Sequence, residues 1–232
     1  MNLAIVGYGK MGRMVERFAP DYGFEVKLKL DEFNNANCEG LTAENFAGID
    51  VAIEFSVPSA VVGNLERLIS LGVNTVVGTT GWTAHLDEVK ALVERHGAGL
   101  VWAPNFSVGV NVFLRLAAEA ARLLAPREEY GAWGWEIHHD AKVDAPSGTM
   151  LKLVERMQQA GYGRPIDVAS NRAGKMPGTH EIGFDSMADT LTLRHTARGR
   201  EGFAAGALTA ARWIAGKKGF YEFSEILFGE SA

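Results

Sequence analysis

The run Glu136-Ile137-His138-His139-Asp140-Ala141-Lys142-Val143-Asp144-Ala145-Pro146-Ser147-Gly148-Thr149 crowds two imidazoles, an ammonium and a helix start into one short stretch. Imidazole has the side-chain pKa nearest neutrality, so His138 and His139 suit proton transfer at cellular pH, while Lys142 can give a proton or hold a carboxylate. Pro146 stops any preceding helix, and Ser147 offers a hydroxyl N-cap to a helix continuing through Met150, Leu151, Leu153 and Val154. The amides of Gly148 and Thr149 then point outward at the positive end of that helix, where glycine lets an anion approach closely. The run reads as a site for a small anionic substrate.

A second constellation lies at the start of the chain. Gly7-Tyr8-Gly9-Lys10-Met11-Gly12 follows the apolar run Leu3-Ala4-Ile5-Val6 and opens a helical stretch through Val15 and Phe18. Strand, glycine turn and helix in that order suit a dinucleotide: the first glycine permits the tight turn, the second lets a pyrophosphate touch the backbone, and the third lets the helix pack closely. A second strand over residues 25–30 ends at Asp31, about 20 residues after the glycines, where a carboxylate would accept hydrogen bonds from an adenosine ribose.

The elements that must carry these groups alternate. Val51-Ala52-Ile53-Glu54-Phe55 reads as a strand, Ser59 as the cap of a helix bearing Val61, Val62, Leu65, Leu68 and Ile69, and Asn74-Thr75-Val76-Val77 as the next strand. A helix capped by Thr83 runs toward His96 and leads to the strand Leu100-Val101-Trp102-Ala103. Apolar strands and one-sided helices predict a Rossmann-like, doubly wound parallel sheet, an α/β fold. In such sheets ligands sit beyond the carboxyl ends of the strands, so Phe55-Ser56, Gly78-Thr79-Thr80-Gly81 and Ala103-Pro104-Asn105-Phe106 should line a cofactor. His85 and His96, on the intervening helix, read as surface residues.

After Phe106 the pattern changes. A long apolar helix from about Val110 to Leu124, a breaker at Pro126 and the aromatic run from Tyr130 to Ile137 predict a second, α+β domain with an open mixed sheet. On an extended chain His138 and His139 point to opposite faces, so one can face substrate while the other braces it. The segment from Arg172 to His180 is either a basic loop that closes over an anion or a plain connection, and it precedes strand candidates at 181–184 and 190–196. His180 and His195 read as core or hinge histidines. A small-residue helix through Ala204, Ala207, Leu208, Ala211 and Ile214 should return to the first domain. The expected division is 1–107 with 203–232 for the dinucleotide and 108–202 for substrate and oligomerisation.

Composition restricts the function classes. The chain of 232 residues is 47% hydrophobic and 22% charged, an ordinary globular balance. A net charge of −5 argues against a general nucleic-acid binder, with Lys217 and Lys218 read as solvated surface. The first residues run straight into glycines without a basic leader, so no signal peptide is expected, and no stretch approaches the roughly 20 apolar residues of a membrane helix. Cys38, the single cysteine, allows no internal disulfide or cysteine metal cluster and fits a reducing cytosol; no metal site is expected.

Over essentially its whole length the chain resembles the dihydrodipicolinate reductase family, now called 4-hydroxy-tetrahydrodipicolinate reductases. The likeness rests on the glycine loop, Gly78-Thr79-Thr80-Gly81, the run from Asn105 to Asn111, the signature from Glu136 to Thr149, and Phe203-Ala204-Ala205-Gly206-Ala207. The resemblance implies hydride transfer from NADH or NADPH to a cyclic unsaturated dicarboxylate and then protonation to tetrahydrodipicolinate, in lysine and diaminopimelate biosynthesis. It implies His138 as proton donor or acceptor, Lys142 as second proton donor, His139 as a substrate contact, and Gly148 with Thr149 as carboxylate cradle. Gly7, Tyr8, Gly9, Lys10, Met11, Asp31, Gly78, Thr79, Thr80, Ala103, Pro104, Asn105 and Phe106 match cofactor-binding positions. Members are similar in being cytoplasmic homotetramers assembled through the second domain's sheet. Many members carry an arginine where Lys10 stands, in a loop one residue longer, and a basic residue where Glu32 stands. A 2′-phosphate would meet Asp31 and Glu32 with only Lys10 to offset them, so the expected preference is NADH, with NADPH still accepted. The alternatives are a dinucleotide-binding redox sensor without chemistry, or a reductase of another small dicarboxylate.

Overall fold

A computed structural model describes residues 1–229 and divides the chain into two compact units, one built from residues 1–108 together with the segment from Arg200 onward, the other from Gly109–Gly199. The last residues of the expected first domain, 230–232, lie outside the described residues.

The first unit is a six-stranded, all-parallel sheet. Its strands are β1 (Asn2–Val6), β2 (Glu25–Leu30), β3 (Val51–Glu54), β4 (Asn74–Val77), β5 (Gly99–Trp102) and, from the end of the chain, β10 (Gly219–Glu222), in the order β10-β5-β4-β3-β1-β2. Every residue of β3 is buried, as in a strand covered on both faces, whereas the edge strand β2 alternates. Helix α1 (Lys10–Phe18) shares one apolar cluster with α6 (Glu201–Ile214), where Val15, Ala207, Leu208 and Ala211 pack on Ile5, Ile53 and Val76. Helices α2 (Val61–Ser70) and α3 (Leu86–His96) bury Leu65, Ile69, Val89 and Val93 against Val77 and Leu100 in another cluster. The sheet is therefore doubly wound, and α6 packs within the first unit as its small residues predict.

Two expected caps are not formed. Helix α2 has Ala60 at its N-cap with no side-chain bond, because the amides of Ala60 and Val61 both turn back onto the Val57 carbonyl and leave Ser59 no part. Thr83 opens a short 3₁₀ turn, Thr83–His85, ahead of α3, whose first turn is favoured by Asp87 and Glu88 at the positive end of its dipole.

The second unit sets α4 (Val108–Leu124, mostly within this unit) and α5 (Gly148–Gln159) against a mixed four-stranded sheet of β6 (Gly131–His138), β7 (Ile166–Arg172), β8 (Thr179–Asp185) and β9 (Thr190–Thr196), ordered β7-β6-β8-β9. Strand β6 is parallel to β7 and antiparallel to β8. Strand β7 has no counterpart in the sequence expectations, since Asp167, Ser170 and Asn171 depress strand propensity. With Arg172 ending β7 and Thr179 beginning β8, the connecting segment is shorter than the expected loop. A short α7 (Phe223–Phe228) closes the described chain.

Candidate active site

The three glycines after β1 differ in what surrounds them. Gly7 has φ +96°, and a Cβ there would collide with the Phe55 carbonyl; a Cβ on Gly12 would collide with the Gly7 carbonyl. Gly9 precedes α1 and has nothing within 4 Å of an added Cβ. Two of the glycines thus fold the turn, and the middle one keeps open space over the helix start, where a phosphate can reach backbone donors.

Two cavities adjoin at the strand ends of this unit. One, about 420 Å³, is lined by Gly9, Lys10, Met11, Gly78, Thr79 and Thr80, among others, and the second, about 290 Å³, by Met11, Gly78, Ala103, Pro104, Asn105 and Phe106 with Phe203. Both also take in Phe55 and Arg200, and no acidic partner of Arg200 occurs among the described residues. Nothing local in the sequence marked Arg200; only the return of α6 brings it here. Gly7 lies outside the lining, as does Tyr8, whose hydroxyl donates to Glu16, itself paired with Lys29 at 2.9 Å. Asp31 directly follows β2, and its Oδ1 accepts from the Phe33 amide at 2.9 Å. The buried carboxyl of Glu54 is pushed up by desolvation, against hydrogen bonds from Ser56 and Asn64.

In the second unit the site grows from the end of β6. Register places Glu136 opposite Ser170 of β7 and His180 of β8, and His138 opposite Arg172. Glu136 is fully buried and ionised: desolvation raises its pKa, but donors from Ser147, Arg172 and Ser170 outweigh that and hold it below the usual carboxylate range. Ser147 caps α5 as predicted, accepting from the Met150 amide at 3.2 Å, and its own hydroxyl donates to Glu136. Burial lowers the pKa of His138, with Glu136 pulling the other way; His180 is pushed down to about 4 by burial and by His138. Both imidazoles are neutral at pH 7.

The loop after β6 carries Lys142, whose ammonium meets Asp144 Oδ1 at 2.6 Å. The other oxygen of Asp144 accepts from the Gly148 amide at 3.3 Å, so that amide is engaged, not free as the sequence suggested. Arg172 staples the loop by donating to the carbonyls of Lys142 and Asp144. His139 is half-buried and its carbonyl accepts from the Lys142 amide. Lys142, Gly148 and the loop carrying His139 therefore come together beside His138. His180, expected as a core or hinge residue, is buried in the same cluster, and His195 contacts Phe113 at a centroid distance of 6.1 Å. Glu136, His138 and His180 bring three possible metal-ligating atoms within 4.8 Å of one another. Both Glu136 oxygens already accept donors, one a guanidinium at 3.0 Å, which makes the cluster a hydrogen-bonded network and a poor cation site.

Two family models cover nearly the whole chain: the N-terminal model of dihydrodipicolinate reductase matches residues 1–106 and the C-terminal model residues 109–227. A 4-hydroxy-tetrahydrodipicolinate reductase from Christiangramia forsetii is 33% identical over 238 residues, covering 98% of each chain. The chain belongs to the dihydrodipicolinate reductase family. A Ralstonia pickettii member named 4-hydroxy-tetrahydrodipicolinate reductase is 37% identical over 266 residues, covering 98% of this chain and 99% of its own. A solved structure titled as dipicolinate-bound dihydrodipicolinate reductase from Paenisporosarcina sp. TG-14 shares the fold, with a TM-score of 0.82 at 24% identity over 97% of this chain and 99% of that one. Family membership makes this protein an NAD(P)H-dependent oxidoreductase that reduces 4-hydroxy-tetrahydrodipicolinate in lysine and diaminopimelate biosynthesis. No helix among the described residues is long and apolar enough to cross a membrane.

Proposed function

We propose that His138 and Lys142 carry the proton transfers of this reduction and that Lys142, His139, Gly148 and Thr149 hold the carboxylates of a cyclic dicarboxylate substrate. The supporting observation is Asp144, whose single carboxylate bridges the Lys142 ammonium and the Gly148 amide. A carboxylate already sits on the groups assigned to bind one, and a substrate carboxylate takes its place. The dipicolinate named for the Paenisporosarcina protein is a ligand of that class.

In the first unit, Gly9, Lys10, Met11, Gly78, Thr79, Thr80 and Ala103 to Phe106 hold the pyridine nucleotide over the two cavities, with Gly7 and Tyr8 shaping the loop and Asp31 taking the ribose. When bound, the nicotinamide supplies the hydride. NADH is the preferred donor, because Glu32 follows Asp31 and the nearest β2 cation, Lys29, is offset by Glu16. His138, neutral and almost enclosed, exchanges a proton at the ring carbon or its leaving hydroxyl, and Lys142 protonates nitrogen or holds the carboxylate. The protein works in the cytoplasm as a homotetramer formed through the second unit's sheet, whose edge strand β9 leaves Leu191 exposed.

Purified protein mixed with NADH and enzymatically generated 4-hydroxy-tetrahydrodipicolinate should consume the reduced nicotinamide absorbance. His138→Ala and Lys142→Ala should each lower kcat by roughly 10²–10⁴-fold. Full rates in both variants would remove these residues from the mechanism. Light scattering of the eluting protein tests the tetramer.

A further inference from the structure

An ionised carboxylate as deeply buried as Glu136 costs several kcal/mol unless its oxygens are saturated. They are: Oε1 accepts from the Ser147 amide at 2.9 Å, Ser170 Oγ at 3.0 Å and the Arg172 guanidinium at 3.0 Å, and Oε2 accepts from the Ser147 hydroxyl. Donors from the start of α5 and from β7 hold it rigid. Its Oε2 also faces two imidazoles, 3.8 Å from His138 Nδ1 and 3.4 Å from His180 Nε2.

Proton counting fixes the neighbour. Ser147 has one hydroxyl proton, and Glu136 takes it, so at the 3.0 Å contact with His180 Nε2 the imidazole is the donor. His180 is therefore the Nε2–H tautomer, and its ring meets His138 edge to face, with centroids 4.9 Å apart at 73°. His138 Nδ1 is enclosed and has no hydrogen-bond partner, the Glu136 carboxylate being the acceptor it faces. Charged or titratable groups around His138 are Glu136 on β6, Lys142 and Asp144 on the following loop, Arg172 on β7 and His180 on β8.

We infer that Glu136 is a positioning residue for His138: its locked carboxylate keeps the ring proton on Nδ1, which makes Nε2 the nitrogen that exchanges a proton with substrate. His180, held by Ser147, fixes the plane of the ring. The inference rests on the proton-transfer reading of His138. It explains why a buried acid stands two residues before that histidine on the same face of β6.

The test has two arms. In the resting ¹⁵N-labelled protein, with His138 assigned by comparison with His138→Gln, histidine nitrogen shifts should report the neutral Nδ1–H tautomer; an Nε2–H pattern overturns the inference and requires neither turnover nor a substitution at 136. Glu136→Gln should lower kcat about 100-fold or more, as loss of a tautomer-fixing carboxylate does, with KM for the dicarboxylate within about threefold. The apparent pKa on the acid limb of kcat/KM should fall, since a negative neighbour has been removed. Unchanged kcat and pH profile in a folded Glu136→Gln variant would show a purely structural role. Undiminished activity in His138→Ala would instead sink the proton-transfer reading on which the inference stands.

Discussion

The imidazole of His138 rests on the backbone of Gly178: a Cβ at position 178 would stand 2.9 Å from both its Cδ2 and Nε2. The glycine also has φ +144°, a conformation costly for any side chain. Gly178→Ala should therefore destabilise the fold by about 1–3 kcal/mol and push the His138 ring aside, lowering kcat more than it changes nucleotide affinity. Thermal melts and steady-state rates check this; a variant with normal kcat would mean that the ring does not need that backbone.

The glycines of the dinucleotide loop should separate into two classes. Gly9→Ala meets open space and should fold with a melting temperature close to the parent's, yet bind NADH at least about tenfold more weakly because the methyl intrudes on the phosphate path. Gly12→Ala collides with the Gly7 carbonyl and should lose stability first. Melting curves paired with NADH fluorescence titrations read both effects, and equal damage to stability in the two variants would contradict the assignment.

Nucleotide preference turns on the end of β2. Asp31 Oδ1 is committed to the Phe33 amide, and Lys29 to Glu16, leaving Glu32 uncompensated beside any 2′-phosphate. Replacing like charge with opposite charge at close range is worth on the order of a kcal/mol or more, so Glu32→Arg should raise kcat/KM for NADPH by about tenfold with little change for NADH. A parent protein already faster with NADPH would defeat the prediction.

Acid sensitivity should come in part from His180. Its folded pKa of about 4 lies below the ordinary 6.5, so between those values the unfolded chain binds a proton that the folded one refuses. Stability is complete above pH 6.5 and falls as pH drops toward 4, by up to roughly 3 kcal/mol for this one group. His180→Gln, which keeps a donor for Ser147, should flatten the decline in melting temperature across that window; an identical decline would assign it to other groups.

Much of the site was legible because its signals are local. The Ser147 cap follows from a serine just ahead of an apolar helical pattern, and the loop roles of Gly7 and Gly12 follow from strand, turn and helix in succession. What was missed depends on register. Glu136 acquires Ser170 and His180 only when β7 and β8 pair on either side of β6, and β7 itself carries polar residues that hide it. Arg200 reaches the cavities only because the chain returns through α6. The Ser59 cap failed for the opposite reason: a backbone turn onto Val57 had already met the need that a hydroxyl would have served.

The pairing of β10 with β5 joins Gly219 to Gly99, with the whole second unit threaded between them. A ribosome therefore releases the central insert before the sheet that flanks it can be finished. Until the tail emerges, β5 presents a bare edge, and the apolar face that will receive α6 is uncovered. The insert has its own cluster of Phe113, Met150, Leu153 and Phe184, so it can condense meanwhile and bring the two ends of the interrupted sheet near each other, shortening the search for the last strand. The sheet is thus begun before the insert is made and finished only after it, and the middle of the polypeptide serves as the clasp.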